Sequence, residues 1–263
     1  MRRFFRLLKL ILKTSFIEQT SYAPSFWFAI IGKTLRIGLL IVFYQGVFAN
    51  VPVFAHWTQS EAILLVGVFS LIETSMSITF HRNFAYHLAE DIHEGTFDHV
   101  LIKPVPTLLA VGLKRIDIMD FITLIPIAVI IGFGLKLNHV VYSLSNLTLG
   151  LSFLFLGYLF LFAVYLIIGS LTFRTVIGGG PGRLAEQVTR MGQIPTDVYA
   201  GTARIIFIYI LPIMLLGTAP VQALLGQGSV RLAWQSLLVV GLFFIISYAY
   251  WRRGLASYTS ANG

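Results

Sequence analysis

The sequence contains no cysteine and little charge. The absence of Cys from all 263 residues excludes disulfides, thiolate metal sites and cysteine nucleophiles. Charged residues make up only 11% of the chain, against about 25% in a soluble globular domain, and 57% of the residues are hydrophobic. Together with a mean hydropathy of +0.82, these values exclude a soluble domain, a disordered chain and a fibrous repeat. They predict an integral membrane protein.

The charge-poor stretches of the chain predict six transmembrane helices. Trimming these stretches by length, Pro and Gly places the spans near residues 31–50, 62–80, 118–136, 146–172, 204–219 and 232–251. No internal repeat relates the spans to one another. The predicted fold is therefore an all-α integral membrane protein with a single transmembrane domain over residues 1–263.

The Lys and Arg residues predict how this domain is oriented. Of the 19 basic residues, 15 lie in the N-terminal segment, the segments 81–117 and 174–204, and the C-terminal tail, whereas two, Lys136 and Arg231, lie on the opposite side. Cytoplasmic loops carry the excess of Lys and Arg. We therefore expect both termini and the loops 81–117 and 174–203 to be cytoplasmic, and the net charge of +8 indicates orientation and not nucleic-acid binding.

The first 20 residues predict an amphipathic interfacial helix. At 100° per residue, Arg2, Arg6, Lys9 and Lys13 share one side, and apolar residues occupy the other. Such a helix lies in the headgroup layer with its cations on anionic lipid. The cations also interrupt the apolar run, so the segment is too polar to span the membrane.

The two predicted cytoplasmic loops each contain a short helix. In the first loop, a helix is expected over 83–94, with a break at Gly95 and turns at Pro104 and Pro106. In the second, a glycine hinge over 178–182 precedes a helix over 183–191. Short helices that a membrane domain presents to the cytoplasm are suited to docking a soluble partner.

Two patterns that resemble ligand sites fail on spacing. Gly32-Lys33-Thr34 resembles the end of a phosphate loop, but Trp27 stands where the loop requires its first Gly. Four histidines in the first loop recur every six residues, so they cannot share a helical face as metal ligands do; they are His81, His87, His93 and His99. The sequence thus predicts no cofactor, metal or catalytic group in this chain.

Glu73 is an ionisable residue inside the second predicted span. It lies about 10 Å from the inner end of that span at 1.5 Å per residue, and Arg36 reaches a similar depth in the first span. Three interpretations stay open: an Arg36–Glu73 ion pair between the spans, independent snorkelling of each side chain, or a proton or substrate role for Glu73. Pro126 and Pro212 predict kinks in the third and fifth spans.

Three motifs resemble permeases of ABC transporters of the ABC-2 type, in the subfamily whose ATPase is a separate chain. The first is EGTFDHVLIKP at 94–104, in the loop between the second and third spans. The second is QIPTDVY at 193–199 running into YILP at 209–212, and the third is WRRGLASYTSA at 251–261. Lys103 stands where Arg is commoner in this pattern, and Ala256 where a second basic residue is frequent.

The resemblance implies a half-transporter in a bacterial cytoplasmic membrane. Two permease subunits, identical or sister chains, would sit on two copies of an ATPase, which would hold ATP and Mg. The segment 83–99 would be the coupling helix, its acidic groups facing a basic groove on the ATPase. The residues expected to couple are Glu90, Asp91, Glu94, Gly95 and Asp98.

The expected function is therefore that of a non-catalytic permease of an ATP-driven exporter. The alternatives are an ATP-independent secondary transporter or channel, which would favour inverted repeats and broken mid-membrane helices, and a membrane enzyme, which would need catalytic groups at membrane depth. The spans are rich in Phe and Leu, which favours an amphipathic or lipid-like cargo.

Overall fold

The described residues of the chain are helical, and no β-strand occurs among them. The structure is a computed structural model and describes residues 2–21, 23–140, 143–174 and 180–259. The α-helices are α1 (Arg2–Thr20), α2 (Ala23–Asn50), α3 (Gln59–Arg82), α4 (Leu88–His93), α5 (Asp98–Leu101), α6 (Thr107–Gly112), α7 (Ile118–Leu137), α8 (Leu144–Leu171), α9 (Gly180–Arg190), α10 (Gly201–Ile205), α11 (Thr218–Leu224) and α12 (Val230–Ala256).

Within the described ranges, five helices are long and apolar enough to cross a membrane. Four of them are α2, α7, α8 and α12. The fifth is α3, which a π-helical turn over Asn83–His87 joins to α4, so that helix runs from Gln59 to His93 over 35 residues. The end of the helix bundle at which α4 lies is called the inner side, and the opposite end is called the outer side.

Three of the long helices begin at a side-chain cap. The Thr58 hydroxyl accepts from the backbone N–H of Glu61, and the Glu61 carboxylate accepts from the N–H of Thr58, which is a capping box at the start of α3. Asp117 accepts from the N–H of Met119 to cap α7, and Ser229 accepts from the N–H of Leu232 to cap α12. These caps satisfy N–H groups that a helix start leaves free.

The central helices are α3 and α8, and α7 and α12 pack against them. Small residues let the backbones of α3 and α7 approach closely, since a Cβ on Gly134 would lie 2.9 Å from Leu64 Cα. By contrast, α2 exposes a stripe of large apolar residues that suits lipid; it includes Phe28, Ile31 and Leu35. This arrangement matches five of the predicted spans, those near 31–50, 62–80, 118–136, 146–172 and 232–251.

Helix α1 is attached to the start of α7. The Gln19 side chain donates to Ile116 O at 2.7 Å and accepts from the N–H of Ile118 at 2.9 Å. The Ser15 hydroxyl accepts from the N–H of Ile116 at 3.3 Å. The helix predicted over residues 1–20 is present at the inner side, and Lys9 and Lys13 are exposed; the side chains of residues 2–8 lie outside what the structure describes.

The segment 180–198, called the traversing segment here, runs along α3 from the inner to the outer side. Its contacts pass from the π-helical turn, through α3 and α2, to the α2–α3 loop. They are Gly182 with Ala85, Glu186 with Tyr86, Gly192 with Phe69, Gln193 with Tyr44 and Asp197 with Trp57. It consists of α9 and two short 3-10 turns. The prediction of a cytoplasmic loop over 174–203 differs from the structure over residues 180–198, which pack among helices. The arginines and glycines of this segment are typical of a loop, so the packing was not foreseen.

The fifth predicted span, 204–219, is also wrong as a continuous helix. A helix over Gly201–Ile210 ends at Leu211 and Pro212, and a 3-10 turn over Ile213–Leu216 leads into α11. Asp197 at the outer side binds both Arg204 and Gln222, while Leu215 lies against Gly157 in the middle of α8. Residues 201–224 therefore enter from the outer side and return to it.

Pro212 marks the turning point of this re-entrant segment and is not a kink inside a span. Its ring removes a backbone donor, so helix cannot continue through it. Pro126 lies inside α7, as predicted. The predicted helix over 183–191 corresponds to α9, and Gly178 and Gly179 of the predicted hinge lie outside the described residues.

Candidate functional site

A polar cavity of about 460 Å³ opens in the inner half of the molecule. Its walls come from α2, α3, α7 and the traversing segment, and charged groups from all four elements line it. They are Lys33, Arg36, Glu73, Arg82, Asp120 and Glu186. Ionisable groups at this depth are costly unless they are paired or face water, so the inner cavity is the first place to seek function.

Arg36 and Glu73 meet at the wall between α2 and α3. Arg36 Nη1 donates to Glu73 Oε1 at 2.9 Å, and Nη2 donates to Oε2 at 2.6 Å, which makes the pair bidentate. The Glu73 side chain is 16% exposed and that of Arg36 is 49% exposed. The structure thus brings together the two residues of the predicted pair, and the pair joins the first two spans.

Lys33 joins α2 to α7. Its ammonium lies 2.5 Å from Asp120 Oδ1 and 3.2 Å from Asp117 Oδ2. Arg82 of α3 also binds Asp117, at 2.9 Å. Asp120 is 2% exposed, and its Oδ2 is buried without a hydrogen-bond partner. Two cations and two carboxylates therefore hold three helices together at the inner side.

Glu186 closes the cavity from the traversing segment. It accepts a short hydrogen bond from the Tyr86 hydroxyl, and His81 Nε2 lies 3.5 Å from its Oε1. The His81 ring also lies 4.9 Å from that of Tyr165 on α8. Because Tyr86 and His81 belong to the continuous helix from Gln59 to His93, this contact couples that helix to the traversing segment.

Sequence reasoning missed most of these cavity residues. Lys33 drew attention only as part of a failed phosphate-loop match, and Gly32-Lys33-Thr34 lies inside α2, where no loop forms. Asp117 and Asp120 were not singled out, and Glu186 was assigned to a loop. A usable signal was the count of charge at span ends: a Lys three residues before Arg36 and two acids at the start of the third span.

The predicted acidic coupling cluster is divided between surface and interior. Glu90 and Glu94 are exposed on the inner side. Asp91 is buried, where Lys114 donates to it and the Thr96 hydroxyl donates at 3.2 Å. Asp91 therefore holds the loop in shape and is not available to a partner.

The other two predicted coupling residues also have structural positions. Gly95 has φ +70°, a left-handed conformation that glycine adopts without strain, and it ends the helix as predicted. Asp98 Oδ1 accepts from the Tyr258 hydroxyl at 3.1 Å, which attaches the loop to the segment after α12. Phe97 packs edge-on against Tyr258 at 5.0 Å beside this bond.

Asp197 is a second polar centre, at the outer side. Its Oδ2 accepts from Trp57 Nε1 at 3.0 Å and from Gln222 Nε2 at 3.2 Å, and its Oδ1 accepts from Arg204 Nη2 at 3.0 Å. One carboxylate thus joins the α2–α3 loop, the traversing segment and both arms of the re-entrant segment. Arg204, which was counted among the cytoplasmic cations, lies at this outer cluster.

Among the described residues, no group of three His, Asp or Glu side chains could hold a metal ion, and the four loop histidines do not converge. The inner cavity and the Asp197 cluster lie at opposite ends of the same traversing segment. Movement of that segment would alter both ends together.

Comparison with known proteins adds one match. The family described as ABC-2 family transporter protein matches residues 34–262. This range includes the acidic loop, the Asp197 cluster and, apart from Gly32 and Lys33, the residues that line the inner cavity. No curated protein matches the sequence.

Proposed function

The chain belongs to the ABC-2 family of transporter proteins, and from that membership we propose that it is the membrane permease of an ATP-driven exporter. ATP and Mg bind a separate ATPase chain, present in two copies. A second permease subunit, identical or a sister chain, completes the path. The chain crosses a bacterial cytoplasmic membrane six times, the traversing segment supplying one crossing, and both termini lie in the cytoplasm.

One observation carries the coupling part of this proposal. Helix continues without interruption from the outer side to the acidic loop, over Gln59–His93, a length of about 50 Å at 1.5 Å per residue. Glu73 and His81 of this continuous helix line the inner cavity, and the exposed Glu90 lies near the inner end of the helix. A push on the acidic surface would therefore reach the cavity through a rigid element.

Charge supports the choice of partner. Glu90 and Glu94 are the exposed members of the acidic cluster, and they lie on an otherwise basic inner side. A complementary basic groove on the ATPase would bind them through charge-assisted hydrogen bonds. Asp91 and Asp98 contribute indirectly, because they fix the loop that presents the two glutamates.

Co-purification tests this function. The tagged full chain is expressed with the ATPase encoded beside its gene, and ATPase recovered in detergent is measured. Replacing Glu90 and Glu94 together by Lys should lower the affinity at least tenfold, since the loss of even one charge-assisted contact costs roughly 1.5–3 kcal/mol. The matched control is Glu18→Lys, an exposed acid of α1 outside the cluster, which should bind as the wild type does.

Two results would overturn the proposal. One is recovery of no ATPase with a chain that is folded and monodisperse. The other is transport by the isolated chain in liposomes without ATP, which would favour a secondary transporter or channel.

A further inference from the structure

Helix α9 exposes a polar face where the chain traverses the membrane. Arg183, Gln187 and Arg190 follow a spacing of four and three residues, so they share one side, and all three are exposed. The opposite side packs inward through small residues, with Ala185 fully buried and Thr189 3% exposed. This is the reverse of a lipid-facing helix such as α2, whose exposed stripe is apolar.

Arg190 lies well inside the two ends of the bundle. The Thr189 hydroxyl meets the Tyr165 hydroxyl at 3.3 Å, six residues before the end of α8. Gly192 lies against Phe69, ten residues into α3 from its outer end. A charged side chain at this depth is costly in hydrocarbon, so the exposed face of α9 must border water, a ligand or another protein.

The charge of this face is positive. The Arg190 side chain is 64% exposed, and its Nη2 is 4.0 Å from Glu186, at the limit of an ion pair. Glu186 also accepts from Tyr86 and faces His81, so it neutralises the arginines incompletely. Apolar Leu184 and Met191 are exposed beside them, at 57% and 38%.

We propose that the Arg183–Gln187–Arg190 face of α9 binds the cargo, and that this cargo is an amphiphile with an anionic group. The guanidinium groups pair with a carboxylate or phosphate, and Leu184 and Met191 contact its apolar body. That the bound molecule is transported rests on the proposed function. The inference adds the class of substrate, an anionic amphiphile, that the path accepts.

Binding tests it without ATP or a partner. The full chain is placed in phosphatidylcholine nanodiscs and titrated with two fluorescent probes of equal length, a long-chain carboxylate and a long-chain trimethylammonium. The wild type should prefer the carboxylate. Arg190→Gln should weaken carboxylate binding about tenfold, Arg190→Lys should retain most of it, and Arg190→Glu should shift the preference toward the cation.

The matched control is Arg253→Gln, an equal charge change at an exposed position near the end of α12, which should leave both affinities unchanged. Equal binding of the two probes by the wild type, or equal losses in Arg190→Gln and Arg253→Gln, would overturn the inference. So would a loss of dimer in Arg190→Gln with unchanged probe binding, because the face would then be an interface between two copies.

The outcome is separable from that of the exporter proposal. Charge-selective binding in a chain that recovers no ATPase would retain the anionic ligand and reject the ATP-driven function. Recovery of an ATPase by a chain that binds both probes equally would do the opposite.

Discussion

Two ion pairs in the inner cavity join side chains from different helices. Arg36 reaches Glu73 across the α2–α3 boundary, and Lys33 reaches Asp120 across the α2–α7 boundary. Removing one member of such a pair leaves its partner charged in a poorly solvated place, which costs more than the pair itself contributes. Single substitutions and pairwise exchanges should therefore differ in their effect.

Arg36→Gln should destabilise the protein. Since Arg36 is half-exposed, we expect about 1–2 kcal/mol, which is a fall of roughly 2–6 °C in Tm measured by thermal unfolding in detergent. The exchange of Arg36→Glu with Glu73→Arg restores the pair and should recover at least half of the loss. If independent snorkelling describes these residues, Arg36→Gln and the exchange will both unfold at the wild-type temperature.

The Arg36–Glu73 contact was one of three interpretations that the sequence allowed, because two opposite charges lay at matching depths in consecutive spans. The Lys33 contacts were not foreseen, since Asp117 and Asp120 lie at a helix start, where acids are common for local reasons. Depth along a span can be counted from sequence. The lateral neighbour of a helix cannot, because it depends on which faces pack.

At the scale of elements, the traversing segment has the polar sequence expected of a loop, and the re-entrant segment has the apolar sequence expected of a membrane span. The re-entrant segment is apolar along both arms: α11 packs against α8, and the first arm exposes large apolar side chains such as Ile205 and Ile210. Its sequence therefore resembles that of a span. The traversing segment can contain Gly and Arg because one side of it packs against protein and the other side is polar. Irregular backbone is tolerated at membrane depth only where protein or a water-filled cavity surrounds it. Hydropathy therefore predicted a span over a stretch whose helix ends at Pro212, while it found the five long helices.

Contact between the re-entrant segment and α8 depends on Gly157. A Cβ at this position would overlap the carbonyl of Leu215 and lie 3.0 Å from its carbon. Gly157→Ala should therefore push the re-entrant segment away at a cost of about 1–3 kcal/mol. Thermal unfolding in detergent should show a Tm lower by several degrees.

Gly132→Ala in α7 is the control for this substitution. A Cβ there meets no atom within 4 Å, and Ala is the better helix former, so Tm should be unchanged or slightly higher. A Gly157→Ala variant as stable as Gly132→Ala would contradict the close approach of the two backbones.

At the scale of the whole molecule, the path of the chain places Thr202 on the outer side. The sequence alone placed it in the cytoplasmic loop 174–203, on the same side of the membrane as His93 in the loop 81–117. Since the chain has no Cys, single-cysteine variants need no other change. In intact cells, a membrane-impermeant maleimide should label Thr202→Cys and leave His93→Cys unlabelled until the cells are opened.

Gln227→Cys serves as the reference for the outer side, because this exposed residue follows α11 directly. Labelling of Thr202→Cys only after the cells are opened, together with His93→Cys, would restore the loop that the sequence predicted. It would also contradict the course of the traversing segment from the inner to the outer side.

The attachment of α1 has a mechanical consequence. The same short stretch, Ile116–Ile118, is hydrogen-bonded to Ser15 and Gln19 on one side and presents Asp117 to Lys33 and Arg82 on the other. Backbone this short cannot yield between its two attachments. A shift of α1 along the membrane normal must then either break those hydrogen bonds or strain the ion pairs of the cavity. The depth of α1 in the membrane therefore affects the geometry of the inner cavity.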